Sequence, residues 1–150
     1  MIKILAKKTY LAALENSEGI EAYKNVFAEV DGAQKDIAED GNLSCSLFVS
    51  ATLLRFKLIS EMHITVPGLI ADLKRHGWYE TPALNPGAVL VWEEKNESGL
   101  AQACHRHAGF YLGDGIAISN NSGMKKTHRH PVEKDNRKVE MILWHDFLNE

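Results

Sequence analysis

Cysteine is scarce here: the 150 residues hold two, Cys45 and Cys104. Two cysteines make no disulfide framework, and they can pair only if the fold brings them together. Long apolar runs are missing as well. None approaches the ~20 residues of a membrane span, so no membrane partner is expected. Charge of one sign is not in excess: 17 Lys and Arg face 20 Asp and Glu, for a net charge of −3. A balance like that, with no long basic run, argues against a dedicated nucleic-acid binder. The one basic cluster, Lys125-Lys126-Thr127-His128-Arg129-His130, reads as a solvated loop. Met1-Ile2-Lys3-Ile4-Leu5-Ala6-Lys7-Lys8 has no uninterrupted apolar core and no signal-peptide layout. The expectation is a cytoplasmic protein, with export by another route left open. There is no internal repeat and no low-complexity segment.

What is present is ordinary for a globular chain, with 45% hydrophobic and 25% charged residues. That length and composition predict one domain over 1–150, with an N-terminal helical part over 1–39 and a core over 40–150. Residues 9–17 read as weakly helical, with a break at Gly19. A helix is predicted over Ile20–Val30, because Ala22, Val26 and Val30 recur every four residues beside Phe27. Asp31-Gly32 would end it. A polar connector, 32–41, leads to a nearly all-apolar helix over Cys45–Glu61, expected to be central. A third helix is predicted from Val66 to a stop at Gly77, with Pro67 suiting its first turn. Beyond Gly77 the pattern turns extended. Ala88–Trp92 reads as a buried strand, 93–99 as a loop, and 101–112 as a strand. Gly113-Asp114-Gly115 then turns the chain into a strand over Ile116–Asn121. Residues 122–137 read as a loop and Val139–Trp144 as a last strand. Helices first and adjacent strands second predict an α+β fold with an antiparallel sheet.

Chemistry is concentrated in Asp40-Gly41-Asn42-Leu43-Ser44-Cys45-Ser46-Leu47-Phe48-Val49. Asn42 and Ser44 are both candidate N-caps, which puts Cys45 at a helix start. There the macrodipole and the unpaired N–H groups favour the thiolate. The bland reading is a small buried cysteine at a helix start. On the strand Cys104-His105-Arg106-His107-Ala108-Gly109-Phe110-Tyr111, alternation sets His105, His107, Gly109 and Tyr111 on one face. A histidine there, opposite the cysteine, can take the thiol proton and later protonate a leaving group.

Three stretches, in order, resemble one family. Ser44-Cys45-Ser46-Leu47-Phe48-Val49 looks like the nucleophile motif of the NlpC-type cell-wall peptidases. Pro86-Gly87-Ala88-Val89-Leu90-Val91-Trp92 resembles their Pro-Gly strand. His107-Ala108-Gly109-Phe110-Tyr111-Leu112-Gly113-Asp114-Gly115 resembles their histidine hairpin. The resemblance covers about 40–121. Ser44, Leu47 and Ala88 depart from the family pattern, which usually has Asp, Gly and Asp there. The resemblance implies a papain-like fold, with the His107 face turned toward the cysteine helix. It also implies a cysteine hydrolase of amide or peptide bonds, whose substrate is a peptide or peptidoglycan fragment. Cys45 is then the nucleophile and His107 the base.

The third polar residue has three candidates. Counting from the family's histidine gives Ser119. Counting through a two-residue Asp114-Gly115 turn puts Asn120 on the His107 face, and Asn120 is the favoured orienting residue. A glycine bulge would instead bring Ser119 and Asn121 to that face. No cofactor and no metal are expected. The rival is a zinc site made of His105, His107, His128 and His130, whose spacing matches no standard motif. The same scaffold could also serve a non-catalytic domain, and the same thioester chemistry an acyltransferase.

Overall fold

Tyr10 and Leu14, four residues apart, form the buried side of the first helix, α1 (Ala6–Glu15). The Tyr10 ring is edge-on to Phe56, Phe110 and Phe147, and its hydroxyl donates to the Gly87 carbonyl oxygen at 2.7 Å. One aromatic therefore ties α1 to the start of the sheet. The computed structural model describes residues 1–95, 105–133 and 137–149. Cys104, the expected loop beyond Lys95, the start of the following strand and residues 134–136 lie outside the described residues.

The helix expected over Ile20–Val30 does not form. That part of the chain is a hairpin of β1 (Phe27–Val30) and β2 (Ala33–Asp36). Asp31 and Gly32 both have positive φ, 52° and 78°, which a type I′ hairpin turn requires. The dipeptide expected to stop a helix turns a hairpin instead. Val26, Ala28 and Val30 are half-buried in alternation, so the period that matters is two, not 3.6. Asp36 anchors the hairpin by accepting the Val26, Ala38 and Asp40 N–H groups and the Asn25 amide. These bonds, led by the Val26 N–H, pull its pKa down to about 2.

The cysteine helix is α2 (Cys45–Arg55), with Leu47, Phe48, Val49 and Leu53 buried. Its buried hydroxyls bond to the preceding turn, Ser50 to the Ser46 carbonyl and Thr52 to the Phe48 carbonyl, both at 2.7 Å. It stops at Arg55, short of Glu61, because Lys57 is left-handed with φ 59°. Leu58 N–H then bonds to Leu53 O and Lys57 N–H to Leu54 O, the Schellman pattern. The next helix, α3 (Val66–Arg75), ends the same way at Gly77, as its sequence predicts.

Between α2 and α3 lies a polar knot. The buried Asp72 carboxylate accepts from the Ser60 hydroxyl (2.8 Å) and the His63 ring (2.7 Å), and His76 lies 2.9 Å away. Burial works against the Asp72 anion. The bonds from His63, Ser60 and Glu61 outweigh it and hold its pKa well below the carboxylate range.

The strands that follow are β3 (Tyr79–Glu80), β4 (Val89–Lys95), β5 (His105–Gly113), β6 (Ile116–Asn121), β7 (Lys126–Pro131) and β8 (Val139–Trp144). They form one antiparallel six-stranded sheet in the order β3-β8-β4-β5-β6-β7. The expected α+β class with an antiparallel sheet is what the chain adopts. β7 falls where a loop was expected. It offers no apolar alternation to read, yet it pairs with β6 along its whole length. Its Thr127 is buried by hydrogen bonds with Ser17 and Ile20.

The two faces of the sheet differ. Val89, Val91, Ala108, Phe110, Ile118 and Leu143 pack with Phe48, Val49, Leu69 and Leu73 of the helices. Ala88, Leu90, Trp92, Tyr111 and Ala117 make a smaller cluster on the other face. No helix among the described residues is long and apolar enough to cross a membrane.

Candidate active site

The loop that delivers Cys45 is wound the wrong way. Glu39, Asp40 and Gly41 have φ of 51°, 54° and 91°, three left-handed residues in succession. Each non-glycine residue in that state costs roughly 1–2 kcal/mol. The surroundings hold it there. Asp40 N–H donates to Asp36, the Asp40 carboxylate pairs with Lys24 and Lys125, and Leu43 N–H closes onto Ala38 O. The Asn120 amide donates to the Gly41 carbonyl oxygen at 3.2 Å. Strain over-determined in this way is characteristic of functional sites.

At the end of that loop Ser44 occupies the N-cap position of α2, but its side chain caps nothing. Its hydroxyl donates instead to the Tyr23 carbonyl oxygen. The first-turn N–H groups are therefore not taken by the Ser44 side chain, and those of Cys45 and Ser46 act to lower the Cys45 thiol pKa. A third N–H comes from Ala108 of β5. Ala108 lies beyond Phe110↔Ile118, the last described pair of β5 with β6. The Ser46 hydroxyl is 4.0 Å from the sulfur. Cys45 is a half-buried free thiol.

The helix start predicts a lowered thiol pKa. The opposite holds: burial pushes the Cys45 thiol up, and the Ala108, Ser46 and Cys45 donors recover only part of the shift. Desolvation of the sulfur exceeds the dipole and hydrogen-bond stabilisation of its anion. The resting group is a thiol.

His107 also departs from expectation. Its register partner is Trp92, and the two rings are 5.4 Å apart between centroids. Trp92 belongs to the smaller cluster, while Ala108 and Phe110 face α2, with Phe48 edge-on to Phe110 at 5.4 Å. The His107 ring thus lies on the sheet face away from the body of α2. Alternation along the strand holds, but the face turned to the helix is the other one. The backbone N–H of the next residue, Ala108, acts to lower the Cys45 thiol pKa.

The third-residue candidates separate cleanly. Tyr111 pairs with Ala117 and Gly113 with Ile116, so the ladder carries a bulge at Leu112. The bulge puts Ser119 on the Trp92 and His107 face and Asn120 on the helix face, the reverse of the favoured assignment. Asn120 is 3% exposed, and beyond its bond to Gly41 its Oδ1 has no partner. It pins the cysteine loop. Ser119 is 2.6 Å from Nε2 of His130. Asn121 accepts the Met124 N–H and closes the β6–β7 turn.

Of the four histidines of the rival zinc site, His107 and His130 share the Trp92 face, with ring centroids 6.5 Å apart. His128 pairs with Glu18 at 2.8 Å, and His130 with Ser119. The side chain of His105 lies outside the described residues. Among the described residues no group of three or more His, Cys, Asp or Glu is placed to hold a metal ion. Two features of the site escape a reading of the sequence: the left-handed Glu39-Asp40-Gly41 run and the Ser119–His130 pair. The adjacent Asp-Gly is the available signal for the first. The second needs β7. No family model matches the chain, and no curated protein matches it either.

Proposed function

We propose that this chain is a papain-like, NlpC-type cysteine hydrolase that cleaves an amide or peptide bond, with Cys45 as nucleophile and His107 as base. One observation carries the reading: Cys45 opens α2 as a free thiol at a start whose N-cap side chain makes no cap bond, which leaves a cluster of first-turn N–H groups beside the sulfur. Such a cluster can bind the oxyanion that forms when the sulfur adds to a carbonyl carbon. Because burial keeps the thiol protonated, a base must remove the proton as the sulfur attacks. His107 is the residue next to Ala108 on the same strand. The imidazole takes the thiol proton and gives it to the departing amine, leaving a thioester on Cys45. Water then attacks the thioester and releases the acid. An amine or alcohol in place of water would make the same thioester an acyl-transfer intermediate. Peptidoglycan stem peptides are the substrate class implied by the three motif resemblances.

Incubation with peptidoglycan fragments and simple acyl amides, followed by mass spectrometry, tests this. Cleaved product and an acyl adduct on Cys45 are expected from the native chain. Neither should form with Cys45→Ala, and adduct formation should collapse with His107→Ala. A native chain that yields no product and no adduct overturns the hydrolase reading. The second reading is a non-catalytic binding domain on the same scaffold. It is favoured by the raised thiol pKa and by the His107 ring lying over Trp92. Binding of the same fragments that is intact in both variants, with no turnover in any, would establish it.

A further inference from the structure

We propose that His130, acting through the Ser119 hydroxyl, positions the His107 imidazole. The inference rests on the hydrolase reading above and adds His130 behind Ser119, the third polar position that the family resemblance already implies. The starting point is a buried, directional hydrogen bond. Ser119 is 1% and His130 6% exposed, and Oγ lies 2.6 Å from Nε2. On its other side, Nδ1 of His130 is 2.8 Å from the Pro131 carbonyl oxygen. A carbonyl only accepts, so Nδ1 carries the proton. In the neutral ring Nε2 is then the acceptor, and the Ser119 O–H must donate to it. That fixes the hydroxyl rotor and turns the Ser119 lone pairs away from His130.

The neighbours set what those lone pairs can receive. Trp92 is flanked by both imidazoles, 5.4 Å from His107 and 5.4 Å from His130 between centroids. The two imidazoles are 6.5 Å apart. That is too long for a direct ring-to-ring hydrogen bond, whose heavy atoms lie ~3 Å apart. A hydroxyl between the rings fits the gap, and the bulge at Leu112 brings the Ser119 hydroxyl to this face. Gly109 makes the approach possible. A Cβ there would stand 2.5 Å from the Ile118 carbonyl oxygen and 2.8 Å from the Ser119 Cβ. Without a side chain at 109, β5 and β6 close and Ser119 sits diagonally from His107. The resulting chain runs from His107 N–H to Ser119 Oγ, from Ser119 O–H to His130 Nε2, and from His130 Nδ1–H to Pro131 O. Each bond polarises the next. The chain holds one nitrogen of His107 protonated and leaves the other to take the thiol proton. No atom is transferred along it.

The test is the His107 tautomer, read by nitrogen NMR of histidine-labelled protein, alongside steady-state kinetics. Ser119→Ala removes the relay, His130→Phe removes the acceptor but keeps a ring, and His130→Gln keeps an acceptor. A single His107 tautomer is expected in the native chain and in His130→Gln. A mixture is expected in Ser119→Ala and His130→Phe, with kcat down at least about tenfold and KM within about twofold, since a catalytic histidine in the wrong tautomer loses far more. A His107 tautomer unchanged in both Ser119→Ala and His130→Phe overturns the proposal. Absence of turnover in the native chain would sink the hydrolase reading alone, because the tautomer measurement needs no activity. If His130→Phe does not fold, Ser119→Ala decides.

Discussion

α3 begins with Thr65, whose hydroxyl accepts the Gly68 N–H at 3.3 Å from an extended backbone. α2 begins with Ser44, whose hydroxyl is drawn away to Tyr23 and whose approach is a left-handed loop. Both are Ser or Thr at an N-cap, and the two side chains do different things. At α3 the Gly68 N–H is satisfied by the Thr65 hydroxyl, and Asp72 inside the helix ties it to the Ser60–His63 segment. At α2 the first-turn donors are left without such a cap. The contrast teaches where this fold accepts a less stable local structure: at the start of α2, where uncapped N–H groups can serve an incoming oxygen.

The sharpest break in the contrast is at Cys45 itself. Iodoacetamide labelling should need alkaline conditions, with a midpoint above the ~8.5 of a free thiol, because burial raises this pKa. Cys45→Ala should abolish the label and leave the unfolding midpoint nearly unchanged. A midpoint below that of a free thiol would show that the N–H donors outweigh burial after all.

The next largest effect lies at the relaxed end. Asp72→Asn leaves His63 and His76 without their carboxylate, and breaking a buried pair costs about 3–5 kcal/mol. Urea unfolding at neutral pH measures it. The pH dependence has a definite sign. The folded Asp72 pKa is held below the ~3.9 of an unfolded aspartate. Its contribution is complete above that pH and is lost as the pH falls through the folded value. The native chain should weaken steeply in acid, and Asp72→Asn should flatten that part of the curve.

A smaller effect is expected at Thr65. Thr65→Ala removes a working cap and should cost about 1 kcal/mol. A change within error would mean that the 3.3 Å bond contributes no net stability.

The smallest effect runs the other way. Glu39 is exposed and left-handed, so Glu39→Gly should stabilise the fold by roughly 0.5–1 kcal/mol. Relaxing this turn should also loosen the aim of Cys45 and lower any turnover. Faster turnover from a more stable variant would separate the strain from the function.

The sequence by itself determined the antiparallel α+β class, the two apolar helices with Cys45 at the first position of α2, and the His107–Gly115 hairpin. These follow from local rules: a helix start, an apolar period and a turn dipeptide each act within a few residues. Local rules also mislead where two structures share one signature. Asp31-Gly32 serves equally as a helix stop or a type I′ turn, and the β1–β2 pairing and the Asp36 anchor hold the hairpin. Tertiary structure alone decided the rest. The bulge at Leu112 reversed the faces of Ser119 and Asn120, because one extra residue in a ladder flips every side chain after it. β7 carries no apolar pattern, so its place beside β6, and with it the Ser119–His130 pair, came from pairing across the sheet. The Cys45 pKa rose because burial depends on everything packed around the sulfur, which no stretch of sequence states.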